Sequence, residues 1–327
     1  MSNTIPVNVD NFVRAETDRA FATAIQQQGA FGKFNHLREP APLDKQPVPR
    51  VNRDTLYSSA IFDLQAGPVT ITLPDAGKRF LSLVVIDQDH YVLGVYYGAG
   101  DYVVGSDKIK TRYFLAAIRT LVDPTDANDL KTVHALQDQI KSHQPGGPGR
   151  FEIPAWDQAT QTRVREALLE LNSSLPDLRR AFGGRREVDP VRHLIATASA
   201  WGGNPDKEAV YLNVTPAKND GRTIHRITVK DVPVKGFWSV TVYNAEGYLQ
   251  PNALNAYNVN SLTAKKDATG AVTVQFGGCD AKVSNCLPIM PGWNYIVRLY
   301  RPRQEILNGT WRFPEAVAEA VVLDKAA

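Results

Sequence analysis

Hydrophobic and polar positions change period several times along this chain, and each change marks an element boundary. After Asp10, which can cap a helix, Val13, Thr17, Ala20, Phe21, Ala24 and Ile25 recur on one face, and Gly29 and Gly32 end the pattern. Pro40, Pro42, Pro47 and Pro49 then fix an extended connector, because each locks φ near about −65° and donates no hydrogen bond. From Leu56 the period is two. Val69-Thr70-Ile71-Thr72-Leu73 alternates as a half-buried strand and Pro74 stops it. Phe80 to Ile86 is apolar on nearly both faces and predicts a central strand, with Tyr91 to Tyr97 as its neighbour and a further strand near Tyr113 to Val122.

Helical spacing returns next. Asp126 precedes Leu130, Val133, Leu136, Gln137 and Ile140, while Asp157 opens a helix whose Val164, Leu168 and Leu171 share a face. Asp189-Pro190 is an N-cap followed by proline at the first helical position, and Val191, Leu194, Ile195 and Ala198 give that helix a stripe. Period two resumes at Ile227, Val229 and Val232, then around Trp238 to Val242, Val272 to Phe276 and Tyr295 to Leu299. Asp267-Ala268-Thr269-Gly270 has the chemistry of a hairpin turn between two of these strands. The order is a helical segment (1–36), a first β-sandwich domain (37–123), a helical connector (124–204) and a second β-sandwich domain (205–327). Such a chain is mainly β with α segments: antiparallel sandwiches or jelly rolls rather than a parallel α/β sheet.

Composition narrows the function classes. Lys and Arg total 37 against 34 Asp and Glu, so no electrostatic case exists for nucleic acid or an anionic surface. No apolar run approaches the ~20 residues of a membrane span, and the first residues lack the basic and apolar regions of a secretory signal. A cytoplasmic protein is the resulting expectation. Cys279 and Cys286 have a spacing that permits a disulfide in an oxidising compartment; in a cytoplasmic chain they read as two free thiols on a turn. They lack the second Cys or His pair of a zinc site. No G-x-S-x-G elbow, S-x-x-K, Walker loop or G-x-G-x-x-G occurs, which argues against a standard serine hydrolase or a nucleotide cofactor. Neither a cofactor nor a metal is predicted.

Two polar motifs stand out. Asn52-Arg53-Asp54-Thr55-Leu56-Tyr57-Ser58 opens the first β region, and Gly236-Phe237-Trp238-Ser239-Val240-Thr241-Val242-Tyr243 opens a strand of the second. With Asp63-Leu64 and Pro68 upstream, and Gly247-Tyr248, Asn252, Leu287-Pro288, Arg298-Leu299-Tyr300-Arg301-Pro302 and Gly309-Thr310-Trp311 downstream, the chain resembles the paired domain-of-unknown-function families 1254 and 1214. The resemblance implies a two-lobed, jelly-roll-like homo-oligomer with a helical insert, from families whose members are often exported. It carries over no catalytic residues.

The residues themselves suggest a site. Arg53 offers a planar fork for a carboxylate and Tyr57 a phenolic donor beside Asn52 and Asp54. The competing reading has Asp54 capping the next turn and Arg53 holding the connector. Asp87 and Asp89 share a side if the chain stays extended, with His90 next to them; the plainer reading is carboxylates capping a β-turn. Arg298 and Tyr300 face one side of a strand, opposite Val297 and Leu299. The leading expectation is a small-molecule enzyme doing hydrolytic or acid–base chemistry on a polar organic substrate. Asp54, Asp87 and His90 would be catalytic, and Asn52, Arg53, Tyr57, Asp89, Arg298 and Tyr300 would bind the ligand. The alternative is a non-catalytic ligand-binding or oligomeric assembly protein.

Overall fold

The computed structural model describes residues 4–46, 48–280 and 282–319; Pro47 of the proline-rich connector lies outside them. The chain divides into two compact units. The first comprises Met1–Arg38, Leu56–Leu121 and Ala127–Asp206, and the second Glu39–Thr55, Val122–Asp126 and Lys207–Ala327.

In the first unit, helix α1 (Phe12–Gln28) is followed by β1 (Asn35–His36), β2 (Thr55–Asp63), β3 (Val69–Leu73), β4 (Leu81–Asp87), β5 (Val92–Tyr97), β6 (Gly100–Val104) and β7 (Tyr113–Leu121). Helix α2 (Ala127–Gln139), strand β8 (Lys141–His143) and helices α3 (Gln158–Ser173) and α4 (Pro190–Ser199) complete it. The strands form a five-stranded sheet in the order β1-β2-β7-β4-β5 and a three-stranded sheet in the order β6-β3-β8. Strand β4 is buried along its whole length between β7 and β5, as its two-faced apolar sequence predicts. One face of the large sheet packs Phe62, Leu83, Phe114 and Ile118 against Val69, Ile71 and Leu73 of β3. The other packs Ile61, Val84, Ile86 and Tyr113 against Phe21 of α1.

Helix caps follow the sequence in two cases. Asp157 accepts from the Thr160 amide at 2.8 Å, and Asp189 caps α4 through Val191 and Arg192. Helix α1 differs: Asn11, not Asp10, is its N-cap and caps with no side-chain bond. Its buried positions include Glu16 and Asp18, because each carboxylate is hydrogen-bonded internally, Glu16 by Gln161 at 2.9 Å and Asp18 by Gln88 at 2.7 Å. On α4, Val191 is 63 % exposed and the buried stripe runs through His193, Ile195, Ala196 and Thr197 instead.

In the second unit, β9 (Ala209–Val214), β10 (His225–Val229), β11 (Trp238–Tyr243), β12 (Asn258–Asn260), β13 (Val272–Phe276), β14 (Cys286–Leu287), β15 (Asn294–Tyr300), the short helix α5 (Gln304–Leu307) and β16 (Val317–Ala318) make a sandwich. Its sheets are ordered β14-β13-β10-β16 and β12-β11-β15-β9. Inward residues of both sheets, among them Val240, Val274, Phe276, Trp293, Tyr295 and Val297, form one core. Among the described residues all its strand pairings are antiparallel except β13 with β14. The Asp267–Gly270 turn exists, with Asp267 accepting from the amides of Thr269 and Ala271, but it joins no hairpin. It leads into β13, whose partners are β10 and β14. The segment Glu39–Thr55 is a strap belonging to this unit, seated through Leu43 and Val51 on Tyr243, Leu249, Tyr257 and Ile296.

Candidate functional site

Strand periodicity builds the first cluster. On β11, Val240 and Val242 point into the sandwich core, so Ser239, Thr241 and Tyr243 point to the opposite face. The pairing register sets Ser239 beside Arg298 of β15 and Asn260 of β12. The strap covers this polar face. Asp54, fully buried, accepts from Asn258 at 2.6 Å and from Asn260 at 3.1 Å through Oδ1, while its Oδ2 is buried without a partner. Asn52 donates to the Tyr300 hydroxyl at 2.9 Å, and its Oδ1 accepts from the Asp54 amide. Asp54 therefore caps no turn: it ties the strap to β12.

Arg298 is buried and donates to Thr241 Oγ1 at 2.9 Å, the Arg50 carbonyl at 2.9 Å and the Tyr243 hydroxyl at 2.8 Å. Burial works against its charge, but Tyr243, Tyr300 and the Asp54 carboxylate push its pKa above the ordinary arginine value. Burial also raises the Tyr243 phenol, so it stays a donor, to the Val51 carbonyl at 2.8 Å. Gly247 has φ +87°, a conformation that favours glycine, and its carbonyl accepts from the Arg50 amide at 2.7 Å.

Arg53 is placed differently. Its Nη1 donates to the Ala41 carbonyl, its guanidinium lies 5.2 Å from the Tyr257 ring centre, and its buried Nε has no partner. Arg53 lines an open cleft of about 310 Å³ with Tyr257, Asn258, Lys265, Asp280 and Cys286 among its walls. Burial lowers the Arg53 pKa, with Tyr257 opposing. Cys286 is bonded to Cys279, S–S 2.07 Å, which corrects the expectation of two free thiols. Pairing of β14 with β13 brings Cys286 back beside the turn that carries Cys279.

Asp87, Asp89 and His90 form a second cluster, in the first unit. The strand ends at Asp87, so the extended alternation assumed for Asp87 and Asp89 does not apply. Asp87 Oδ1 accepts from the amides of Asp89 and Tyr91, both at 2.9 Å, and burial pushes its pKa up to about 6. Asp89 pairs with Arg14 at 2.6 Å and with Arg185 at 3.4 Å. His90, at φ 62° and fully buried, accepts from the Gly202 amide at 2.8 Å on Nε2, which leaves Nδ1 as the donor to Thr197 Oγ1 at 2.8 Å. Burial, then the neighbouring His193, holds its pKa well below the ordinary histidine value. His193 lies between two carbonyl oxygens, of Ala181 and Asp89, each 3.0 Å from a ring nitrogen, and stacks on Tyr91 at 4.6 Å.

Of the sequence-predicted residues, Asn52, Arg53, Asp54, Arg298 and Tyr300 belong to the second unit, and Tyr57, Asp87, Asp89 and His90 to the first. Tyr57 faces the Arg119 guanidinium at 5.5 Å. Sequence reasoning missed Asn258, Asn260, Tyr243 and Arg50 as site residues; the period-two spacing of Asn258-Val259-Asn260 is the signal by which the first two could have been found. Among the described residues no group of three or more His, Cys, Asp and Glu side chains could hold a metal ion, and no helix is long and apolar enough to cross a membrane.

A two-unit, mainly β protein with a strap pinned across a polar sheet face is thereby defined. Residues 31–144 match the family described as protein of unknown function (DUF1254) and residues 208–304 the one described as protein of unknown function (DUF1214), so the chain pairs these two families in that order. No curated protein matches it. The fold is similar to that of the VPA0106 protein from Vibrio parahaemolyticus, with TM-score 0.74 and 18% identity over 96% of this chain and 100% of that one. It also resembles a putative uncharacterized protein from Burkholderia cenocepacia, with TM-score 0.52 and 16% identity over 90% and 85% of the two chains.

Proposed function

We propose that the second unit binds a small organic acid in the cleft beside Tyr257, with Arg53 as the anchor for its carboxylate. The observation that carries this reading is Arg53 itself: a guanidinium backed by an aromatic ring, on a cleft wall, with its Nη1 held by the Ala41 carbonyl. Arg is the side chain suited to planar, bidentate recognition of a carboxylate. Asp123 and Asp280 on the same walls are partly committed, since one oxygen of each accepts backbone amides of its own turn. The volume falls at the small end of ligand sites, which suits a compact molecule.

This reading is non-catalytic. Asp87 serves its turn and His90 has both nitrogens engaged, so neither is assigned a proton-transfer role. The Asp54 network supports the site indirectly by fixing the backbone that carries Arg53. The disulfide supports work in an oxidising compartment rather than the cytoplasm.

Isothermal titration with succinate and with its neutral diamide tests the proposal. Saturable binding of succinate alone, weakened tenfold or more in Arg53→Gln and weakened less in Arg53→Lys, which keeps the charge but not the planar fork, is the expected result. Equal binding by wild type and Arg53→Gln, or none by wild type to any small carboxylate, overturns it.

A further inference from the structure

We infer that the Cys279–Cys286 disulfide controls the binding cleft, so that the site is formed in the oxidised chain and loosened in the reduced one; this rests on the cleft reading above. Asp280, Val283, Ser284, Asn285 and Cys286 supply one wall of the cleft, and the disulfide closes the stretch that carries them. The two flanks of that stretch are held unequally. At its C-terminal end, Cys286 and Leu287 pair with Gln275 and Phe276, the Gln275 amide donates to the Asn285 carbonyl, and the Asn285 side chain donates to the carbonyls of Lys265 at 2.8 Å and Thr273 at 3.2 Å.

The other flank is framed only as far as Gly278: the Gly277 amide donates to the Leu287 carbonyl at 3.0 Å, and the Gln275 side chain donates to the carbonyls of Gly277 at 2.9 Å and Gly278 at 3.3 Å. Past Gly278, the Asp280 carboxylate accepts from Lys282 and Val283, bonds that stay inside the loop. The disulfide is the covalent tie between this flank and the paired strand. Cutting it returns to residues 279–284 the chain entropy that the closed loop removes. The part of the cleft lining that Asp280 and Val283 supply then loses its covalent anchor.

The bond is reachable. Cys279 is half-buried whereas Cys286 is 7% exposed. A thiolate of a dithiol reductant attacks the Cys279 sulfur, the S–S bond breaks, and Cys286 leaves as a thiolate that takes up a proton. The reductant's second thiol then attacks the mixed disulfide, releasing Cys279 as a thiol. Two electrons pass to the protein and the reductant closes to its own disulfide.

Two measurements on the full chain test this: succinate titration, and amide hydrogen exchange at Val283 and Gln275. Each compares oxidised protein, protein reduced with dithiothreitol until its thiols are titratable, and Cys279→Ser/Cys286→Ser. The expected results are succinate affinity at least tenfold weaker in both reduced forms, and exchange at Val283 at least tenfold faster, with Gln275 changing less. Unchanged exchange at Val283 with both thiols free overturns the inference, as does unchanged succinate affinity. If the oxidised chain itself binds no succinate, the cleft reading fails and with it the control of binding. The exchange data then show separately whether the disulfide holds the loop.

Discussion

Asp54 and Asn260 lie 206 residues apart in the chain and meet as a fully buried hydrogen-bonded pair, Nδ2 to Oδ1 at 3.1 Å. The signature motif of the first family thus bonds to the sheet that carries the signature motif of the second. Asp54→Ala removes the acceptor for both Asn258 and Asn260, and buried amide donors left unpaired are costly. We expect a loss of about 2–4 kcal/mol, read as a lower denaturation midpoint at constant slope, with Asp54→Asn losing less. A double-mutant cycle with Asn260→Ala should return a coupling on the order of 1 kcal/mol; additivity would refute the pairing's importance.

The strap has a second consequence. Gln46 Nε2 donates to the Leu249 carbonyl and its Oε1 accepts from the Leu249 amide, both at 2.9 Å, and Arg298 holds the Arg50 carbonyl. A fragment beginning at Lys207 leaves Arg298, Thr241 and Tyr243 on an uncovered face. It is expected to show no cooperative unfolding transition, while a fragment in which residues 39–55 are fused ahead of Lys207 recovers one. A cooperative transition in the shorter fragment would show that the strap is dispensable.

Much of this fold was legible because its signals are local. Val69–Leu73 alternates in sequence and in burial, Phe80–Ile86 reads as a central strand and β4 at Leu81–Asp87 is one, and Asp189-Pro190 starts a helix where the cap chemistry places it. The site was legible only in part. Arg298 and Tyr300 were read correctly as sharing a face, but what covers that face is a strap from the other end of the chain, which no local pattern encodes. Neither reading of Asp54, catalytic or turn-capping, contained its bonds to Asn258 and Asn260, for the same reason. The Cys279–Cys286 bond spans only 7 residues and its spacing was legible; the free-thiol reading came from the cytoplasmic expectation, not from the local pattern. Buried Glu16 and Asp18 broke the α1 pattern because their partners come from α3 and from the turn after β4.

Asp87 should mark the pH dependence of stability. Its carboxyl has a pKa of about 6 in the fold against an ordinary 3.8, so the folded chain binds the extra proton between those values. The group's contribution is therefore fully present below about pH 4 and is lost as pH rises through 6, on the order of 2–3 kcal/mol. Asp87→Asn keeps an oxygen that can accept from Asp89 and Tyr91 but does not titrate. Relative to that variant, wild type should lose stability between pH 4 and 7 in denaturant titrations. Parallel curves would contradict the assignment.

His90→Ala separates scaffolding from chemistry. It strands the Gly202 amide and removes a ring packed 5.2 Å from Trp201 and 5.4 Å from His193. A destabilisation of about 2–4 kcal/mol is expected, with succinate binding unchanged at a temperature where the variant remains folded. Loss of binding without loss of stability would return His90 to the list of site residues.

A crystal structure of the oxidised protein with succinate tests the role of Arg53 most directly. A carboxylate is expected within hydrogen-bonding distance of the Arg53 guanidinium, in the cleft walled by Tyr257, Asn258 and Asn285. Succinate bound elsewhere, or an empty cleft at saturating ligand, would contradict it.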